Sequence, residues 1–228
     1  MKILKNTLKY GMILCIVLFA SCKKDDVEAE PKDETPIDLA DYYIIGRRPA
    51  QLSNGQTVQI PYIINFDEYG KASLLREGNM PFTFKDGKIK IDGTMVFTVE
   101  NNTITAYEDV IKRYPFTSYS LQKKPTKNQL NGTSYQGNWA NIAKTFSVFT
   151  FGSDTYDEKA GTTYPFSGNY TLIANIAARS NTPNAAADNY AEYNLVLIDG
   201  KLEVTCHKKN LVGAGSETFT YGVFTKVP

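Results

Sequence analysis

The feature that most constrains the fold is a period-two alternation of apolar and polar side chains, which recurs from residue 42 to the C-terminus. The apolar positions are rich in β-branched and aromatic residues, and long stretches of helical spacing do not occur. Alternation of this kind is typical of strands that are half buried in a sheet. The chain is therefore predicted to be mostly β, folded as an antiparallel barrel or sandwich.

The alternating runs predict two sets of strands. The first set is Tyr42–Arg47, Val58–Phe66, Lys71–Leu75, Phe82–Lys85, Lys88–Ile91, Met95–Val99, Thr103–Tyr107 and Phe116–Gln122. The second set is Phe146–Phe151, Gly168–Ile176, Tyr193–Ile198, Lys201–Cys206 and Thr218–Lys226. Asp86-Gly87, Asn101-Asn102 and Asp199-Gly200 lie between apolar runs and tolerate the positive φ of tight hairpins, so antiparallel neighbours are expected.

One or two short helices are predicted beside the strands. In Tyr107–Tyr114 the apolar residues share one helical face, acids come early, bases come late, and Pro115 would end the helix. A helix that closes one end of a barrel would have this pattern. Trp139–Ala143 has the same apolar spacing over a single turn.

Three short landmarks recur in order and indicate two similar modules. Because the offsets between the copies are unequal, each half would need an insertion. We expect a first β module at residues 40–124 and a second at 130–228, joined near Lys124-Pro125-Thr126-Lys127. The landmarks are Asp67-Glu68 against Asp157-Glu158, Asp86-Gly87 against Asp199-Gly200, and Phe116-Thr117 against Phe219-Thr220.

Residues 1–21 have the organisation of a secretory signal peptide. Lys2, Lys5 and Lys9 precede the apolar run Met12–Phe19, which is too short to cross a bilayer. The run leads into Phe19-Ala20-Ser21-Cys22, which resembles the bacterial lipobox. The resemblance implies that the Cys22 thiol is diacylated, with chains such as palmitate, before the signal peptide is cleaved.

The segment after Cys22 indicates where the protein is anchored. Residues 22–39 are acidic and poor in apolar side chains, which predicts a disordered tether. Within it, Lys24-Asp25-Asp26 resembles the surface-export signal of Bacteroidota lipoproteins; the alternative is that these charges only solvate the linker. We expect a lipid-anchored protein of the outer membrane, exposed on the cell surface, whose membrane partner is reached through the acyl chains.

Composition removes several classes of function. With 25 basic and 24 acidic residues the net charge is +1, so a nucleic-acid partner is not expected. His207 is the single histidine, and a strand places it on the face opposite Cys206, so neither a nucleophilic pair nor a zinc site is expected. Cys206 has no partner for a disulfide and falls on an apolar phase, which predicts a buried thiol. No cofactor or metal is predicted.

The second set of strands opens with a motif of a known family. Gly137-Asn138-Trp139 resembles the G-x-W of the first lipocalin strand, whose tryptophan closes one end of the barrel. The resemblance implies lipocalin-like modules that hold a ligand. Tyrosine offers a flat apolar face and a polar tip, which suits sugars and hydrophobic ligands alike. Tyr43, Tyr135 and Trp139 are the predicted ligand-binding residues, although β proteins are rich in such side chains for packing alone.

Three hypotheses of function follow. The first is a non-enzymatic surface lipoprotein that binds a small or oligomeric ligand, either a glycan or a hydrophobic molecule. The second is a structural or adhesive module that assembles with other surface proteins through strand edges. The third is a hydrolase that uses two carboxylates. The candidate carboxylates are Asp67, Glu68, Glu108, Asp109, Asp154, Asp157 and Glu158.

Overall fold

The computed structural model describes residues 37–140, 146–161, 166–184, 189–210 and 217–228. The predicted signal peptide, the predicted lipidation site Cys22 and the predicted linker as far as residue 36 lie outside the described residues. The described chain, Ile37–Pro228, forms one compact unit by internal contacts. It begins with a short 3-10 helix, Leu39–Asp41, and continues almost entirely as antiparallel strands.

Eight strands form the first sheet, which we call the first barrel. Each strand pairs with the next along the chain from β1 to β7, and β8 returns to pair with β1, so the spatial order is β7-β6-β5-β4-β3-β2-β1-β8. The strands are β1 Tyr42–Gln51, β2 Thr57–Phe66, β3 Lys71–Leu74, β4 Gly78–Lys85, β5 Lys88–Ile91, β6 Met95–Glu100, β7 Thr103–Asp109 and β8 Ser118–Lys123.

The first barrel is closed between β7 and β8 by side chains. The sheet ends at these two strands, and their tyrosines Tyr107 and Tyr119 make a tilted ring contact with centroids 5.5 Å apart. Phe97 and Phe116 extend the same aromatic cluster. Aromatic contacts of this kind stabilise beyond the area they bury, so the barrel approaches closure although its two edge strands are not paired.

The second sheet, which we call the second barrel, repeats this path. Its spatial order is β12-β11-β10-β9-β17-β16-β15-β14-β13, so the last strand again pairs with the first. The strands are β9 Ser134–Trp139, β10 Phe146–Phe151, β11 Thr155–Ala160, β12 Phe166–Asn169, β13 Thr171–Ile173, β14 Ala177–Asn184, β15 Asn189–Ile198, β16 Lys201–Asn210 and β17 Glu217–Lys226.

Strands β12 and β13 together close the second barrel. Only Tyr170 separates them, and they pair with β11 and β14 respectively. The hydroxyl of Ser180 in β14 also donates to the carbonyl of Asn169 in β12 at 2.6 Å. One nearly continuous segment therefore joins the two ends of the sheet, and the predicted pair of similar antiparallel β modules is confirmed.

Each barrel has its own core because alternate residues of every strand point inward. Ile44, Tyr62 and Phe97 are fully buried in the first core. Phe149 and Phe224 are buried in the second, with the predicted buried thiol of Cys206. Burial raises the pKa of that thiol to about 11.

A third cluster joins the outer faces of the two barrels. Tyr43 and Ile63 of the first barrel pack there with Ile173, Ala177 and Val196 of the second. These side chains occupy the outward phase of their strands, which in an isolated barrel would be solvent-exposed. Their burial explains why several strands are apolar on both faces.

The helix predictions are corrected. Residues Thr103–Asp109 belong to strand β7, and the chain then turns at Val110 and Ile111, so Tyr107–Tyr114 is not a helix. Tyr107 and Tyr114 still converge, because the Tyr107 hydroxyl donates to the Tyr114 carbonyl at 2.7 Å. Trp139 ends strand β9, and residues 141–143 of the second predicted helix lie outside the described residues. No helix in the described part of the chain is long and apolar enough to span a bilayer.

The predicted hairpins are confirmed, but the landmarks of the two halves do not coincide. Asp86, Asn101 and Asp199 all have positive φ between paired strands. However, Asp86-Gly87 joins the fourth and fifth strands of its barrel, whereas Asp199-Gly200 joins β15 and β16, which correspond to the sixth and seventh. The two modules therefore share a strand order, but these sequence landmarks lie in hairpins that do not correspond.

Candidate functional site

A polar cleft lies between the outer faces of the two barrels. Its volume is about 510 Å³. Four asparagines, two hydroxyl residues, one tyrosine and one arginine supply most of its polar lining. The lining residues are Asn65, Ser73, Leu74, Gly78 and Asn79 from the first barrel, and Asn169, Tyr170, Thr171, Leu172, Ile173, Arg179 and Asn181 from the second.

Strand register builds the first wall. Asn65 on β2 pairs with Ser73 on β3, and Ser73 pairs with Asn79 on β4, so the three side chains form a row on the outward face. The Ser73 hydroxyl donates to Asn79 Oδ1 at 2.7 Å, which orients that amide. Asn65 Oδ1 is buried and has no hydrogen-bond partner in the described protein.

The second wall is built in the same way. Thr171 on β13 pairs with Arg179 on β14, and Asn181 follows two residues later on the same outward face. The Tyr170 hydroxyl contacts Asn128 and the carbonyls of Gly152 and Ser153, so it is engaged within its own barrel. The guanidinium and amide groups therefore provide the hydrogen-bonding capacity of this wall.

Behind the cleft the polar row continues into the seam between the barrels. Arg179 pairs in register with Asn194 on β15, and Asn194 pairs with Thr205 on β16. Asn194 Nδ2 donates to Glu192 Oε1 at 3.1 Å. Asn194 Oδ1 and Thr205 Oγ1 are buried and have no partner in the described protein. The seam is thus polar well beyond the walls of the cleft.

A charged contact connects the barrels at the other side of this seam. Arg47 of β1 donates through both terminal nitrogens to the two oxygens of Glu203 on β16, each at 2.6 Å. The Tyr221 hydroxyl donates to the same carboxylate at 2.7 Å. This hydrogen bonding with Glu203 raises the pKa of Arg47, and burial followed by Glu203 raises the pKa of Tyr221. A bidentate arginine contact fixes orientation as well as distance, so it holds the two walls of the cleft in one geometry.

The interior of the second barrel contains a separate polar network. Trp139 Nε1 donates to Ser147 Oγ at 3.1 Å, and Ser147 Oγ donates to Glu158 Oε1 at 3.1 Å. The Tyr193 hydroxyl donates to Glu158 Oε2 at 2.8 Å. Burial, more than Cys206 or Glu158, raises the pKa of Tyr193. All four network residues are buried, so the network satisfies the polar groups of the core rather than facing the cleft.

The structure separates the three predicted ligand-binding residues. Tyr135 and Trp139 lie on β9 with buried rings inside the second barrel. Tyr43 lies in the cluster between the barrels, and its hydroxyl donates to Gln122 Oε1 at 2.6 Å. Tyr43 pairs in register with Asn65 of the cleft, although it is not itself among the lining residues. Ligand binding by these three residues stays a prediction.

The candidate carboxylates are distributed among different local roles. Asp67 accepts from the backbone of Tyr69 and Lys71 in a turn, and Asp109 accepts from the backbone of Tyr114. Asp157 accepts from the Ser167 hydroxyl, and Glu158 belongs to the interior network. In residues 37–140 and the later described segments, no cluster of three or more His, Cys, Asp or Glu could hold a metal ion.

Comparison with models of known protein families gives no match, and comparison with curated proteins gives none either. A proposal of function therefore rests on the geometry of the cleft.

Sequence reasoning missed the lining of the cleft. The available signal was a polar residue on the outward phase of an otherwise apolar strand, such as Asn65 after Ile63-Ile64 and Arg179 after Ala177-Ala178. Such residues are usually solvent-exposed, so the pattern alone does not single them out. Only strand register and the packing of one barrel on the other bring Asn65 and Arg179 to one cleft.

Proposed function

We propose that this protein is a lipid-anchored, surface-exposed outer-membrane protein that binds a glycan, without catalysis, in the cleft between its barrels. The observation that carries the binding proposal is the amide-rich lining on two opposed walls. Amide groups both donate and accept, which matches the hydroxyl groups of a sugar. The lipobox-like sequence ending in Cys22 supports the anchor.

A hydrophobic ligand fits this lining less well. Pockets for apolar molecules are lined mainly by aliphatic and aromatic side chains, with few polar groups. Here Leu74, Leu172 and Ile173 are the aliphatic residues of the lining, and asparagine, serine, threonine and arginine make up most of the rest.

A binding role without catalysis is supported by the placement of the carboxylates. Glycoside hydrolysis needs two carboxyl groups that face each other across the scissile bond. The described residues of the cleft lining include no aspartate or glutamate. The seven candidate carboxylates of the sequence lie elsewhere, and Glu158 is buried inside the second barrel.

The binding test is calorimetric titration of the purified full chain with neutral and acidic oligosaccharides. Saturable binding is expected, and Asn65→Ala and Asn79→Ala should each weaken it about three- to tenfold through loss of one hydrogen bond. Asn138→Ala is the matched control, because Asn138 is exposed on β9 outside the cleft. Equal affinity of all four proteins, or no binding across the panel by folded protein, would contradict the proposal.

The anchor test uses Cys22→Ser in the producing cell. The substitution should abolish acylation and release the protein from the membrane fraction, because the acyl chains supply the membrane affinity. Cys206→Ala is the control, since that thiol is buried in the second barrel. Protease treatment of intact cells then distinguishes the cell surface from the periplasmic leaflet. Unchanged membrane retention of Cys22→Ser would contradict the anchor.

A structural or adhesive role is the second candidate, favoured by the open side of the first barrel. Strands β7 and β8 end its hydrogen-bonded sheet, and Val110 and Ile111 in the loop between them are 61% and 54% exposed. Unpaired strand edges can bind another chain. If this role is correct, Val110→Asp with Ile111→Asp should abolish self-association or co-purification of a surface protein and leave glycan titrations unchanged.

A further inference from the structure

The described lining of the cleft carries charge of one sign only. Among the lining residues that the structure describes, Arg179 is the single charged one, and the remaining polar residues are neutral amides and hydroxyls. A lining of this kind offers one fixed cation amid groups that recognise hydroxyls. The ligand that complements it has one negative charge amid many hydroxyl groups.

Arg179 retains donors that no protein acceptor uses. Its Nε lies 3.7 Å from Glu192 Oε1, which is an ion pair but is too long for a hydrogen bond. Arg179 Nε is buried and has no hydrogen-bond partner in the described protein. The side chain as a whole is 26% exposed. A guanidinium has five N–H donors in a planar fork, so donors other than Nε are able to bind an acceptor from the cleft.

Glu192 does not fully neutralise this cation. The same carboxylate also accepts a hydrogen bond from Asn194 Nδ2 at 3.1 Å. Glu192 is therefore shared between Arg179 and Asn194, and it compensates the arginine only in part.

We infer that the ligand of the cleft is an acidic glycan, in which a sugar carboxylate binds Arg179 while neighbouring hydroxyls bind Asn65, Asn79 and Asn181. The inference rests on the proposed function and specifies its ligand. A carboxylate is planar and accepts two parallel hydrogen bonds from a guanidinium. Its single charge matches one arginine that is partly compensated, whereas a doubly charged phosphate would not be balanced.

The test compares uronate-containing oligosaccharides with their carboxyl-reduced counterparts, which keep the same linkage and replace the carboxylate by a hydroxymethyl group. The full chain should bind the acidic form about tenfold or more tightly than the reduced form, as expected for a charge-assisted hydrogen bond. Arg179→Gln should remove this preference, and Arg179→Lys should restore only part of it, because lysine keeps the charge and loses the fork.

Arg113→Gln is the matched control. Arg113 is an exposed arginine outside the cleft, 4.0 Å from Glu77. This variant should keep the full preference for the acidic ligand. Thermal unfolding and circular dichroism of all variants identify any that has lost its fold, and the lysine variant covers the case in which glutamine is not tolerated.

The outcomes separate the two proposals. A preference for the acidic form that depends on Arg179 supports the acidic ligand. Equal binding of the acidic and reduced forms, or a preference that survives Arg179→Gln, overturns the acidic ligand and leaves glycan binding in place. Tighter binding of a sulfated analogue than of the uronate also overturns it. Absence of binding to every form overturns both proposals.

Discussion

The two barrels have the same strand order, but different networks satisfy the polar groups at the ends of their interiors. In each, a glycine on the first strand lies against an aromatic ring, because a Cβ on Gly46 would meet the Phe116 ring at 2.6 Å and one on Gly137 would meet the Phe224 ring at 3.1 Å. Two residues later an inward side chain begins a polar network. It is Arg48 in the first barrel and Trp139 in the second.

The networks differ in charge and in depth. Arg48 lies 4.5 Å above the Tyr62 ring and 3.5 Å from Glu77, which also accepts from the Tyr114 hydroxyl. The side chains of Arg48 and Glu77 are 16% and 18% exposed. In the second barrel the glutamate of the network is Glu158. It is more deeply buried and accepts hydrogen bonds from the hydroxyls of Ser147 and Tyr193.

The contrast between the two networks shows how one strand order can accommodate two kinds of buried polar group. A guanidinium can be held at the rim, where water and a carboxylate both reach it, but full burial of that charge would be costly. An indole offers one donor and a large apolar surface, so it can close a barrel from inside. The polar groups of the second core should therefore contribute more to stability than those at the rim of the first.

Truncation of a core ring is expected to have the largest effect in both barrels. Phe97→Ala and Phe224→Ala should each destabilise the protein by about 3–5 kcal/mol, from lost burial and the cavity left behind. The two variants should differ in the native-state emission of Trp139, the single tryptophan. Its ring lies 5.4 Å from Phe224, so only Phe224→Ala should alter the emission.

Denaturant titration followed by circular dichroism and by Trp139 emission measures both quantities. Val223→Ala, next to Phe224 but 40% exposed, is the control and should change little. A native-state emission that responds equally to Phe97→Ala would show that the two cores are not separate.

Removal of the buried carboxyl is expected to have the next largest effect. Glu158→Leu should destabilise the protein by about 2–4 kcal/mol, because the hydroxyls of Ser147 and Tyr193 both lose their acceptor. Glu158→Gln, which keeps the volume and one acceptor, should cost about half as much. Glu77→Leu at the rim of the first barrel should cost less than Glu158→Leu. The reverse order of the two leucine variants would refute the contrast between interior and rim.

The Arg47–Glu203 contact between the barrels is expected to have an effect of intermediate size on stability. A double-mutant cycle with Arg47→Ala and Glu203→Ala should give a coupling free energy of about 1–2 kcal/mol, because the pair is bidentate but Arg47 is only partly buried. Both single variants should also weaken glycan binding, since the contact holds the cleft walls in position. If the effects of the two single substitutions on the free energy of unfolding simply add, the barrels are not coupled through this pair.

An exposed ion pair is expected to have the smallest effect. Hydrogen bonds from Lys209 and then from His207 lower the pKa of Glu217. A lowered carboxyl pKa means that this stabilisation is complete above the ordinary pKa of glutamate and is lost as pH falls through the folded-state value. Carboxyl NMR titration should show the lowered pKa, and Lys209→Met should raise it toward normal. An unchanged pKa in Lys209→Met would exclude this pair as the cause.

Much of the fold could be predicted because it depends on local chemistry. Alternation located strands such as Lys88–Ile91 and Phe146–Phe151 to the residue, and Asp199-Gly200 marked its hairpin. Strand Thr155–Ala160 was missed, because its acidic residues are typical of a solvated turn, whereas Glu158 is satisfied by donors distant in sequence.

The candidate site could not be predicted for the same physical reason. Its lining depends on which strand lies beside which, and on how the outer face of one barrel packs against the other. The aromatic residues that the sequence offered, Tyr135 and Trp139, are instead committed to the second core. The helix expected at Tyr107–Tyr114 failed because strand pairing with β6 outweighed a short amphipathic pattern.

The most direct test of ligand position is an NMR titration of the full chain with an acidic oligosaccharide, following side-chain signals. The side-chain amides of Asn65 and Asn79 and the guanidinium of Arg179 should shift to saturation together, and the indole signal of Trp139 should stay in place. A ligand in the cleft predicts this result. Shifts at Trp139 and Tyr135 without shifts at Asn65, Asn79 and Arg179 would place the ligand inside the second barrel and contradict the cleft as the binding site.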